Sequence, residues 1–113
     1  MSAVTTHVLD TTLGRPASGV PVRLEQVVPG AATATPVAAA TTDSDGRVGD
    51  LGPDRLESGD YRLTFDTATY FAATGQNGFY PCVSITFTVA DPVQNHHVPV
   101  LLSPFAYSTY RGS

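Results

Sequence analysis

Apolar and polar side chains alternate with a period of two along most of this chain. Val83, Ile85, Phe87 and Val89 are interleaved with Ser84, Thr86 and Thr88, as in a strand with one face in a core and the other hydroxylated. Tyr61, Leu63 and Phe65 alternate with Arg62, Thr64 and Asp66. Val20, Val22 and Leu24 alternate with Pro21, Arg23 and Glu25, and Val98, Val100 and Leu102 with His97, Pro99 and Leu101. The pattern predicts strands over 4–10, 20–27, 35–41, 60–66, 82–89, 96–102 and 106–111, with a short one near 47–50. Turn residues separate them: Leu13-Gly14-Arg15-Pro16, Pro29-Gly30, Asp45-Gly46, Gly52-Pro53 and Ser58-Gly59-Asp60. One helix is expected, Thr67 to Thr74, stopped by Gly75, with Asp66 or Thr67 as N-cap and Tyr70 and Phe71 placed to cap the sandwich. The Ala/Thr-rich piece from Pro29 to Thr42 reads as a loop followed by a small-residue strand. Seven or eight short strands with turns between them predict an all-β, two-sheet sandwich.

Composition adds limits to that picture. A 113-residue chain, 42% hydrophobic, is expected to form a single domain over residues 1–113 around one core, without disulfides or a structural metal. The lone Cys82 excludes an intrachain disulfide and a CxxC redox pair, favours a reducing, cytoplasmic setting, and reads as inert. Net charge is −4 and the basic residues, Arg15, Arg23, Arg47, Arg55, Arg62 and Arg111, are scattered. Nucleic-acid binding, which needs clustered cations, is therefore not expected. The first residues lack a basic region and meet Asp10 early, and the longest uncharged stretches, 26–42 and 92–110, are broken by proline and polar residues. Neither a secretory signal nor a membrane span is expected.

Few side chains remain that can do chemistry. Alternation places His7 opposite Val8, and His97 opposite Val98, Val100 and Leu102, so both imidazoles lie on strand faces directed away from the core. Such histidines are either solvated or covered by another subunit. Leu9 and Leu101 on the same faces favour cover. His96 faces the other way and reads as structural. Asp43-Ser44-Asp45-Gly46-Arg47 lacks the ligand pattern of a calcium loop and reads as a hairpin turn, leaving Arg47 as a solvated charge or an anion clamp. The tail from Ser103 to Ser113 keeps three aromatics in alternating context and is expected to dock as a strand. A zinc site of His7, His96 and His97 is disfavoured because adjacent histidines face opposite ways.

Four separated motifs carry a resemblance over the whole chain: Thr6-His7-Val8-Leu9-Asp10-Thr11 followed by Gly14-Arg15-Pro16-Ala17, then Asp45-Gly46-Arg47, then Phe79-Tyr80-Pro81, and finally His97-Val98-Pro99-Val100-Leu101-Leu102-Ser103-Pro104 leading into Tyr107-Ser108-Thr109-Tyr110-Arg111-Gly112-Ser113. In these the sequence resembles the transthyretin-like family, and within it the enzymatic branch that hydrolyses 5-hydroxyisourate. The resemblance implies an eight-stranded sandwich with one short helix, and a homotetramer built as a dimer of dimers whose central channel is lined by an outer sheet face. On this chain that face carries His7, Leu9, His97, Leu101 and Ser108. It further implies a site at the dimer–dimer interface with His7, Arg47, His97 and Ser113 as catalytic residues. His7, Arg47, Tyr110 and Arg111 would bind substrate, with no metal or cofactor. Carrier transthyretins have other residues at the positions of His7, Arg47, His97 and Tyr110. The enzymes usually have His-Tyr-His before Val-Pro, where this chain has Asn95-His96-His97. Asn95 shares the face of His97, so a partner of that imidazole is expected to differ.

The expected activity is ring-opening hydrolysis of 5-hydroxyisourate, the product of urate oxidation. One of the two outward histidines would activate water, and Arg47 would stabilise the oxyanion. Which histidine is the base stays open at this level. The competing expectation is a non-catalytic small-molecule carrier using the same channel. A polar His/Arg lining suits a small oxygenated heterocycle better than an apolar hormone.

Overall fold

Two sheets face each other in the computed structural model, which describes residues 2–113. The sheet that bears the site is organised around β1 (Val4–Asp10), which runs parallel to β8 (His96–Ser103). β9 (Ala106–Thr109) pairs antiparallel with the far edge of β8. Two short pieces, β2 (Arg15–Pro16) and β5 (Arg47–Val48), share the free edge of β1. The second sheet is antiparallel, in the order β4 (Thr35–Thr41), β3 (Pro21–Val27), β6 (Gly59–Phe65), β7 (Val83–Val89).

Alternation has its expected consequence in β1: Val4, Thr6, Val8 and Asp10 are buried, while Thr5, His7 and Leu9 lie on the outer face. The core joins Val4, Val8, Val98, Val100 and Leu102 of the first sheet to Val22, Leu24, Leu63, Phe65, Val83 and Val89 of the second. Each fully buried aliphatic side chain contributes about 1.5–3 kcal/mol. Among the described residues no helix is long and apolar enough to cross a membrane.

The helix α1 (Thr67–Ala73) follows β6 and is capped by Asp66, whose carboxylate accepts from the Thr69 backbone N–H at 3.1 Å and its hydroxyl at 2.7 Å. Its inner face buries Tyr70 and Phe71. Tyr70 also donates to Asp10 Oδ2 at 2.6 Å. Burial alone would raise the Asp10 carboxyl, but hydrogen bonds from Tyr70, Leu13 N–H, Gln76 and Thr12 N–H outweigh it and hold its pKa below the usual carboxylate range. That ionised, fully hydrogen-bonded carboxylate ties the helix to the end of the strand that carries His7.

Three expectations are corrected. Arg15–Pro16, read as part of a turn, pairs with Leu9 and Asp10 as β2. The last strand stops at Thr109, and the tail continues through a single bridge between His97 and Gly112. The Asp45-Gly46 turn is not a hairpin within one sheet: it carries the chain from β4 in one sheet to β5 in the other. Only Gly46 there has positive φ, +74°, whereas the tight hairpin turn expected of Asp-Gly requires two such residues. Instead Asp43 Oδ1 accepts from the N–H groups of Asp45 (2.9 Å) and Arg47 (3.0 Å), and Gly46 N–H donates to Asp43 O at 2.9 Å.

Candidate active site

The outer face of the first sheet is a small lattice whose rows are set by strand register. In the lowest row Pro16, Leu9, Leu101 and Ser108 lie side by side, giving an apolar lip. In the next, Arg47 stands opposite His7, which stands opposite Pro99. In the third, Thr5 is opposite His97, which bridges to Gly112. Neighbouring strands lie about 4.8 Å apart, so side chains in one row, or one row diagonally removed, reach each other.

Arg47 reaches its place through the turn just described. Gly46 N–H and C=O are both engaged, the carbonyl accepting from Val8 N–H at 2.7 Å. A Cβ at position 46 would collide with the Val8 carbonyl oxygen. Only glycine lets the turn lie this close to β1, and that closeness puts Arg47 beside His7.

His97 is half-buried and held on two sides. The Thr5 hydroxyl lies 2.8 Å from its Nδ1. On the other side the Gly112 backbone packs against Cδ2, where a Cβ would collide, while Gly112 N–H donates to the His97 carbonyl at 2.9 Å. Burial, the Arg47 guanidinium and the His7 ring all push the His97 pKa below its ordinary 6.5, outweighing the Thr5 main chain, which pulls the other way. The imidazole is thus kept neutral near pH 7, the state a general base requires.

A cavity of about 310 Å³ is lined by Thr5, Thr6, Arg47, Val48, Gly49, His97 and Ser113. Of the residues expected from sequence, the fold therefore gathers Arg47, His97 and Ser113 around one space, with His7 in register beside Arg47. Tyr110 and Arg111 front a neighbouring cavity of about 330 Å³ that His97 also borders. Arg111 donates there to Gln94 Oε1 at 3.0 Å. His96 is buried on the inner face, 6.2 Å from the Phe87 ring, separated from the other two histidines by the strand itself. Among the described residues no three His, Cys, Asp or Glu side chains converge to hold a metal ion. Cys82 is exposed and immediately precedes β7, which belongs to the other sheet.

Two positions that touch His97 are not singled out by the sequence. The imidazole partner is Thr5, whereas Asn95 was the expected position for it; Asn95 is exposed in the segment before β8. Gly112 packs the ring from the tail. The shared outward face of Thr5 and His7 was visible in the alternation, but the pairing of Thr5 with His97 was not.

The sequence matches the HIUase/Transthyretin family over residues 4–112. It is 44% identical to the 5-hydroxyisourate hydrolase of Mus musculus over 113 residues, covering 99% of this chain and 96% of that protein. Among solved structures, the Klebsiella pneumoniae 5-hydroxyisourate hydrolase is similar with a TM-score of 0.84 and 34% identity, covering 97% of this chain and 98% of that one. Sea bream transthyretin in complex with thyroxine is similar with a TM-score of 0.90 and 27% identity, covering 97% and 94%.

Proposed function

The chain belongs to the HIUase/Transthyretin family, and from that premise we propose that it acts as a 5-hydroxyisourate hydrolase whose chemistry is carried by His97, Arg47 and His7. The observation that carries the mechanism is the convergence of Arg47 and His97 on one cavity, with Nδ1 of the imidazole already engaged by Thr5; burial and Arg47 push the imidazole pKa down.

His97 Nε2 takes a proton from water as the water oxygen bonds to the ring carbonyl carbon. The resulting oxyanion is stabilised by Arg47, whose planar and permanently charged guanidinium suits an oxygen-rich planar substrate. Collapse of the tetrahedral intermediate breaks the carbon–nitrogen bond. The imidazolium returns its proton to the departing nitrogen, and the carboxylic acid left on the opened ring releases its own proton to solvent to become a carboxylate. His7, opposite Arg47, orients the substrate, and Ser113 closes the cavity beside them. Tyr110 and Arg111 bind substrate from the neighbouring wall. No metal or cofactor enters this scheme.

The proposal extends to the assembly. Leu9 and Leu101 form an apolar strip beside the polar row, on a face that no other part of the described chain covers with a layer of its own. Packing of second copies over that strip, in a homotetramer with sites between its dimers, would exclude water from the cavity and strengthen the Arg47–oxyanion interaction. Residues 1–113 act in it as one transthyretin-like domain, in the cytoplasm.

Substitution tests the assignment. His97→Asn and Arg47→Ala are each expected to lower kcat by about a hundredfold or more while eluting at the parent protein's solution mass. A parental rate in either variant removes that residue from the mechanism.

A further inference from the structure

We infer that Thr5 is the positioning residue of this site: its hydroxyl oxygen accepts a hydrogen bond from His97 Nδ1–H and so leaves Nε2 with the free lone pair. The inference rests on the reading of His97 as the base.

Sheet geometry makes the contact. Thr5 and His97 are directly opposed in a parallel pair, on the same outward face, and their 2.8 Å separation is that of a well-formed hydrogen bond. Threonine is suited to it, because two heavy atoms on Cβ restrict χ1 and hold the hydroxyl in place. The ring cannot exchange its two edges without loss. Turning it over would bring Cδ2 to the Thr5 hydroxyl, which would lose its partner, and Nδ1 to the Gly112 backbone that now packs against Cδ2.

The direction of the bond goes with the reading of His97 as the base: with Nε2 left to take the proton, Nδ1 carries the hydrogen, and the Thr5 oxygen 2.8 Å away accepts it. A neutral acceptor fixes the tautomer without the added basicity that a carboxylate partner confers, so the imidazole is oriented yet stays uncharged. The next residue provides an internal contrast. Thr6 turns inward, is 1% exposed, and donates to Val98 O at 2.6 Å. Two consecutive threonines thus serve opposite faces of the strand, one bracing the sandwich and one setting the histidine.

The experiment pairs tautomer with turnover. In the parent protein above pH 7, the ¹⁵N shifts of His97 are expected to show a protonated Nδ1 and an unprotonated Nε2. Thr5→Val, which keeps the branched shape, should mix the tautomers and lower kcat by about ten- to a hundredfold, with little change in KM. Thr5→Ser should restore both the tautomer and most of the rate. Thr6→Val should leave the tautomer unchanged even where it lowers stability. A parent His97 carrying its proton on Nε2 overturns the inference whether or not Thr5→Val folds, as does a folded Thr5→Val at the parental rate. An active His97→Asn would instead refute the assignment of the base, an outcome the tautomer measurement does not depend on.

Discussion

At His97, burial, the Arg47 guanidinium and the His7 ring disfavour the protonated imidazole, against the Thr5 main chain. The consequence for activity is an acid limb in kcat/KM that falls below the ordinary histidine value of 6.5. The same shift acts on stability. Because the folded pKa is depressed, the unfolded chain binds more protons as pH falls through 6.5, so the contribution is full above that value and is lost below it. His96 adds to the effect, its pKa lowered by burial and by Arg111. Replacing Arg47 by Gln is expected to move the His97 titration, followed through its ring Cε1 proton by NMR, upward toward 6.5. An unchanged or lower value would mean that the guanidinium does not act on the ring. Much at this scale was legible in the sequence. The outward placement of His7 and His97 followed from Val8, Val98 and Val100 alone, because a period of two assigns faces without any knowledge of pairing. Thr5 and Gly112 were not legible in their roles, since each acts on His97 across a strand boundary.

Elements with full alternation were predicted within a residue of their ends. β1, β6, β7 and β8 each run seven or eight residues, long enough for the period to declare itself. β2 has two residues and no period to read. The parallel pairing of β1 with β8 joins residues 92 apart in the chain; nothing local encodes it, yet it assembles Thr5 with His97. The turn at 43–46 shows a subtler failure. Asp-Gly correctly signalled a reversal, but the choice between a hairpin and a passage to the other sheet depends on what the next strand pairs with. That turn now carries a prediction of its own. Gly46→Ala combines a strained φ with a collision against the Val8 carbonyl oxygen. It should cost at least about 2 kcal/mol, lowering the melting midpoint by roughly 8–15 °C. Because Arg47 is the next residue, kcat/KM of the folded fraction should fall as well. A variant that melts like its parent would show that the turn tolerates a side chain, and with it that the close approach to β1 is not what places Arg47.

Across the whole molecule, the sandwich is a frame that does not by itself select an activity. The fold is as close to a thyroxine-complexed transthyretin as to a hydrolase, with TM-scores of 0.90 and 0.84, so shape alone would fit a carrier or an enzyme. The proposed hydrolase activity rests instead on the chemistry mounted on one outer face: Arg47 against His7, His97 between Thr5 and Gly112, and Ser113 at the rim. An apolar ligand is suited by an apolar channel, whereas this face places a guanidinium and an imidazole around a cavity beside an apolar lip. The deciding measurement is the ultraviolet decay of freshly generated 5-hydroxyisourate with and without the purified protein. The decay is predicted to accelerate in proportion to the protein added; decay at the spontaneous rate, whatever the amount of protein, would contradict the account.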